Sequence, residues 1–182
     1  MFHDYVIKMR LAYCVLLAFS VGSAVADQRC DVSQFPLSTP TDRFQDNGDG
    51  TVTDTASGLM WMRCSVGQTW QHGDCVGDLT SVDWRSAQAV AETINGDGSF
   101  FFSDWRIPKL PDLAMIIERQ CQDPRINLTV FPETPAAAFW TSTGRPGDES
   151  EDSVYALSFG PEGVQRMQKD QLNYVRLVRT AQ

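Results

Sequence analysis

Five cysteines punctuate the 182-residue chain, and their placement constrains its fold more than any other feature. Cys14 lies in an uncharged stretch, residues 11–26, that follows Lys8 and Arg10 and ends in Ala24-Val25-Ala26. A short basic region, an apolar core and small residues three and one before a cut are the three parts of a secretory signal peptide, which predicts cleavage after Ala26. Met9 serves as an alternative start. The uncharged stretch falls short of the roughly 20 residues that span a bilayer. No cysteine directly follows a small-residue box as a lipoprotein requires, since Cys30 comes after Gln28-Arg29. The expected product is exported, periplasmic or extracellular, and keeps no membrane anchor once the leader is gone. Export leaves an even four thiols, Cys30, Cys64, Cys75 and Cys121, which an oxidising compartment pairs into two disulfides. Three connectivities are open. Residues 68–74 read as a polar loop that a bridge would close, which favours Cys64 with Cys75 and leaves Cys30 with Cys121. With no CxxC spacing and no histidine beside these thiols, structural bridges are favoured over a redox or metal site.

Charge removes further classes. The 15 basic and 23 acidic residues give −8, and loss of Asp4, Lys8 and Arg10 with the leader leaves 13 and 22, a charge of −9. Nucleic-acid binding needs a basic patch, so that class is excluded. The leader also carries His3, which leaves His72, inside the turn-like stretch Gln71-His72-Gly73-Asp74. Without further imidazoles most catalytic triads and zinc sites drop out.

Residues 27–41, polar and interrupted by Pro36 and Pro40, form an extended lead-in to one domain, residues 42–180. Arg43-Phe44-Gln45 and Thr51-Val52-Thr53 flank Asp46-Asn47-Gly48-Asp49-Gly50, where Asn-Gly and Asp-Gly supply the positive φ of a tight hairpin. A turn at Ala56-Ser57-Gly58 then leads to Leu59-Met60-Trp61-Met62, a continuous apolar run expected as a buried strand. Trp84, Ala87, Ala91 and Ile94 recur at helical spacing, with Ser81 as the predicted cap and Asn95-Gly96 as the stop. Leu113, Ile116, Ile117 and Cys121 share the face of a second helix. Strands are predicted at 139–141, 154–159, 164–168 and 174–178, with Gly160-Pro161-Glu162-Gly163 turning one pair. The order is strands, two helices, strands.

Several motifs then coincide: the hairpin just described, Gly58-Leu59-Met60-Trp61-Met62-Arg63-Cys64, Gly67-Gln68-Thr69-Trp70, Ser103-Asp104-Trp105-Arg106-Ile107-Pro108, Ile126-Asn127, Phe131-Pro132, Phe139-Trp140-Thr141-Ser142 and Val175-Arg176-Leu177-Val178-Arg179. Over about residues 40–180 the chain resembles the Lcl C-terminal domain family, named after a bacterial collagen-like adhesin. The resemblance implies an exported bacterial domain akin to C-type-lectin-like and formylglycine-generating-enzyme folds: an α+β fold with a C-type-lectin-like twisted antiparallel sheet, two helices and two disulfides. One departure is Lys109, which stands where the family has a capping residue and cannot accept backbone N–H bonds, so a weaker cap is expected ahead of Asp112.

Four residues, Asp46, Asn47, Asp49 and Asp54, offer the hard oxygen ligands that Ca²⁺ prefers, but the EF-hand register fails, with Gln45 in its first position and Ala56 in its twelfth. The hairpin turn accounts for them without an ion. Asp148-Glu149-Ser150-Glu151-Asp152 reads as a solvated acidic loop. Of the five tryptophans, Trp61, Trp84 and Trp140 sit in patterns that predict burial, and Trp70 is the surface candidate for stacking on a sugar. Arg106 is the second ligand-binding candidate. Asn127-Leu128-Thr129 fits a glycosylation sequon that carries no weight in a bacterial protein. No nucleophile with an adjacent base can be named.

The function expected is a non-catalytic recognition or adhesion module for a glycan or an envelope or host-surface protein, needing no cofactor apart from a Ca²⁺ that the turn would hold. A polyanionic ligand would require Arg106, Arg166, Lys169, Arg176 and Arg179 to share a face. Two alternatives stand: an enzyme of formylglycine-generating descent, signalled by a free thiol in a cleft, and a structural envelope component, signalled by an exposed apolar patch.

Overall fold

A computed structural model describes residues 28–98, 101–144 and 152–181. The predicted leader and residues 148–151 of the acidic loop lie outside these. In chain order the elements are β1 (Arg29–Cys30), β2 (Phe44–Asp46), β3 (Thr51–Asp54), β4 (Leu59–Met62), β5 (Thr69–Gln71), β6 (Asp74–Val76), α1 (Trp84–Gly96), α2 (Leu110–Met115), β7 (Cys121–Gln122), β8 (Ala138–Trp140), β9 (Ser153–Ser158), β10 (Val164–Gln168) and β11 (Val178–Thr180). The fold is α+β, with strands paired antiparallel in sheets β11-β4-β3-β2, β10-β9-β8, β5-β6 and β1-β7.

The meander forms as the turn chemistry dictates. Asp46 pairs with Val52 across a turn closed by Asn47 N–H donating to Thr51 O at 3.2 Å, with Gly48 and Gly50 at φ 79° and 87°. β4 is apolar throughout because both of its faces are covered. Trp61 packs with Phe44, Leu113, Phe131 and Phe139, whereas Met60 and Met62 point to a second cluster holding Ala87, Ala91, Trp105 and Trp140. The face of α1 read from its spacing, Trp84, Ala87, Ala91 and Ile94, meets this second cluster.

Three local expectations are corrected. Asp83, not Ser81, caps α1 by accepting the Ser86 N–H at 2.7 Å, because Val82 is held extended against Asn173 and the helix opens only beyond it. Asn95-Gly96 closes α1 as expected, the helix ending at Gly96, with the Asn95 amide engaged in both directions by the Trp105 backbone. The second helix ends at Met115, since Ile117 bridges to Ile126 and Cys121 lies opposite Cys30 in a strand pair. Its start is capped from elsewhere: Thr143 Oγ1 accepts the Leu110 N–H and Asp112 Oδ2 the Lys109 N–H, each at 2.9 Å. Of the strand predicted at 174–178, Val178 alone belongs to β11. The segment crosses between sheets instead, touching β8 through Tyr174 and β4 through Val178.

Two disulfides are present, Cys30–Cys121 and Cys64–Cys75. The lead-in is further tied down by Glu118, a wholly buried carboxylate that accepts from Ser38 N, Ser38 Oγ, Thr39 N, Thr39 Oγ1 and Gln120 N at 2.7–3.0 Å. Burial by itself would raise the Glu118 pKa, but the amides of Gln120, Ser38 and Thr39 outweigh it and hold the group below its ordinary range.

Candidate functional site

Residues 68–74 do not form an open loop. They build most of the β5–β6 hairpin, turned at His72 and Gly73 with φ 52° and 89°, positive at both central positions as a two-residue hairpin requires. Trp70 stands opposite Cys75, whose bridge to Cys64 fastens the hairpin to the end of β4. The half-buried Trp70 ring therefore sits at a fixed height beside the Asp49–Gly50 turn. Between them lies a cleft of about 330 Å³ with Met62, Val66 and Ile94 on its apolar side and Asp49 and Gln68 as polar groups. A Cβ on Gly50 would come within 2.7 Å of the Trp70 Cβ, so the turn approaches the indole this closely only because residue 50 is glycine.

Arg63 holds the ring from another side. Its guanidinium carbon is 3.9 Å from the Trp70 ring centroid. Its nitrogens donate to Val130 O, Thr129 O and Asp46 Oδ2, all at 2.9 Å. Burial pulls the Arg63 pKa below the arginine range, against the opposing pull of Asp46. Such a stack on an aromatic face fixes the ring as well as the charge. Gln68 lines the cleft, and its Oε1 is buried with no hydrogen-bond partner among the described residues. A buried acceptor left this way favours a donor supplied by a ligand or water.

The proposed calcium ligands are placed apart in their bonding. Asp46 Oδ1 accepts from Gly48 N and Oδ2 from Arg63; Asn47 bonds to Thr51 and Thr53; Asp49 Oδ1 accepts from both Thr51 N and Thr51 Oγ1. Asp54 is fully buried at the other end of the hairpin, where Arg43, Ala56 N and Ser57 Oγ meet its oxygens. Burial raises the Asp54 pKa, but these bonds win and hold it low. Among the described residues no three His, Cys, Asp or Glu side chains gather to hold a metal ion.

Of the ligand candidates, Trp70 lines the cleft and Arg106 does not. Arg106 pairs its backbone with Val178 and donates to Asp112 Oδ2 at 2.8 Å, serving the start of α2. The shared basic face that a polyanionic ligand would require does not form. Arg176 and Arg179 are buried, the first among Met62 O, Arg63 O, Ser65 Oγ and Thr134 Oγ1, the second on Asp104 and over Phe102. Burial pulls Arg176 down to about 9. Arg166 donates to Ser153 Oγ, and Lys169 lies 4.6 Å from the Trp84 ring, which is half-buried rather than buried. Trp61 and Trp140 are fully buried as expected.

Sequence reading missed Gly50, Arg63 and Gln68 as parts of one site, because the closeness of residues 50, 63 and 70 is created by strand pairing and a disulfide. The signal that was there is the crowding of Arg63-Cys64 and Trp70 around one bridge. Asn127 donates its amide to Thr39 O and Thr41 Oγ1, so the sequon is consumed in the fold.

No curated protein matches the chain. The model of one family, the Lcl C-terminal domain, matches residues 50–179, a span that runs from the glycine under Trp70 to the buried Arg179. With most of the sequence inside that match, the chain belongs to the Lcl C-terminal domain family.

Proposed function

We propose that this chain is an exported, non-catalytic recognition module that holds a glycan in the Trp70 cleft. The observation that carries the reading is the pairing of a rigidly held, half-buried indole with an unpartnered buried amide oxygen, Gln68 Oε1, in a cleft otherwise mostly apolar. An aromatic ring offers a flat apolar surface to the C–H face of a sugar, and a convergent acceptor takes a hydroxyl proton. Export is supported by the leader-like residues 1–26, by the two disulfides and by the lack, among the described residues, of a helix long and apolar enough to cross a membrane. A thiol-based enzyme is disfavoured because Cys30, Cys64, Cys75 and Cys121 are all bonded.

The test is a glycan array probed with the oxidised protein, with Ca²⁺ and with a chelator, at low and physiological salt. Binding by the wild type that is lost in Trp70→Ala and partly kept in Trp70→Phe supports the reading. Loss on chelation would assign Asp46 and Asp49 a metal. No binding to any glycan overturns the glycan reading and leaves a protein partner.

A further inference from the structure

A second cleft, of about 430 Å³, lies beside the Cys30–Cys121 bridge and is lined by Arg119, Cys121, Gln122, Asp123, Arg125 and Pro161. Its walls are fixed. Glu118 N–H donates to Arg125 O at 3.0 Å and Ile117 bridges to Ile126, so Arg119 and Arg125 stand on facing segments of one closed loop. Ser38 Oγ accepts the Arg119 N–H at 2.9 Å, and Phe159 O accepts the Arg125 N–H at 2.7 Å, which seats the loop against the turn that carries Pro161.

The backbones of both arginines are therefore held, yet neither guanidinium makes a hydrogen bond or ion pair with a described residue. By contrast, Arg29, Arg43, Arg63, Arg106 and Arg179 are each matched by a carboxylate. The one carboxylate at the cleft, Asp123, is already met by Arg29 at 3.3 Å. The cleft thus carries two positive charges that nothing in the described protein answers.

We propose that this cleft binds a compact oxyanion, the carboxylate or phosphate group of a small ligand. Guanidinium groups present planar forks of donors that match such oxygens, and Gln122 adds an amide from the same loop. The volume suits a small molecule. The acidic chain around it, at −8 overall, repels an extended polyanion, so the site selects a short anionic group rather than a polymer.

Equilibrium dialysis of the oxidised protein against labelled inorganic phosphate and, separately, labelled citrate, at ionic strength held constant with potassium chloride, tests this. Saturable one-site uptake of either anion is expected; the one bound more tightly identifies the group as phosphate or carboxylate. Arg119→Gln, an exposed change that touches no bond in the fold, should weaken uptake about tenfold, and Arg119→Gln with Arg125→Gln should abolish it. Arg85→Gln, a cation elsewhere on the surface, should leave it unchanged. Absence of saturable uptake of both anions up to about 10 mM, or uptake indifferent to Arg119→Gln, overturns the proposal. So does competition by a long sulfated polyanion that is stronger, per anionic group, than that by unlabelled phosphate or citrate.

Discussion

Replacing Glu118 by Gln keeps its volume and removes only its charge and one acceptor. In the native protein Oε1 accepts from Ser38 N, Ser38 Oγ and Gln120 N, and Oε2 from Thr39 N and Thr39 Oγ1. The least damaging amide orientation puts its NH₂ against Thr39, where the hydroxyl can turn to accept but the N–H at 2.7 Å cannot. One buried backbone donor is then orphaned and the remaining bonds lose charge assistance, a cost of about 3 kcal/mol. The sign with pH follows from the depressed native pKa. The carboxylate's contribution is fully present above its ordinary 4.5 and is lost as pH falls through the lower native value. Urea unfolding of the oxidised proteins should therefore show a gap of about 3 kcal/mol at pH 7 that shrinks below pH 4.5, with unchanged denaturant slope. Hydrogen exchange should speed up first at the Thr39 amide. A gap under about 1 kcal/mol at pH 7, or one that stays constant into acid, would refute the reasoning.

Three further outcomes are expected. Gly50→Ala places a side chain at φ 87° and against the Trp70 Cβ, and should cost at least about 2 kcal/mol and shift the tryptophan emission, read by thermal unfolding and fluorescence. Removal of the Cys64–Cys75 bridge by a double Ala substitution should cost about 3 kcal/mol for its separation of 11 residues, and removal of Cys30–Cys121 about 4.5 kcal/mol for its 91, so urea midpoints should fall in that order. Asp54→Asn strands the Arg43 guanidinium, which bonds Asp54 twice at 2.5–2.7 Å, and should cost about 3 kcal/mol, whereas Arg43→Met with Asp54→Leu should recover only part of that loss in the same assay, because the Ala56 N–H and Ser57 hydroxyl lose their acceptor.

Turns and strand periodicity were legible because their causes are local. Asn47-Gly48 and Asp49-Gly50, set between two strand-like segments, place glycines where a tight turn needs positive φ, and the spacing of Trp84, Ala87, Ala91 and Ile94 can be read without a partner. Helix ends were less legible because competing bonds decide them. Thr143 caps Leu110 from 33 residues away, and the pairing of Val82 with Asn173 moves the first cap from Ser81 to Asp83. Arg106 and Arg176 look alike in sequence, yet one is half-exposed and the other has no exposed surface.

By itself, then, the sequence determined the β-meander, the first helix, the four cysteines that pair and the family motifs, since each depends on residue type and short spacing. Only the tertiary structure decided where the charges went. It buried Arg176 and Arg179, which removes the basic face a polyanionic ligand would need, and it brought Gly50, Arg63, Gln68 and Trp70 around one cleft. It also left Arg119 and Arg125 facing another without partners. The physical reason is that charge pairing and burial are properties of segments far apart in the chain, chosen by strand register and disulfide closure, and no local pattern encodes which carboxylate or carbonyl an arginine will meet.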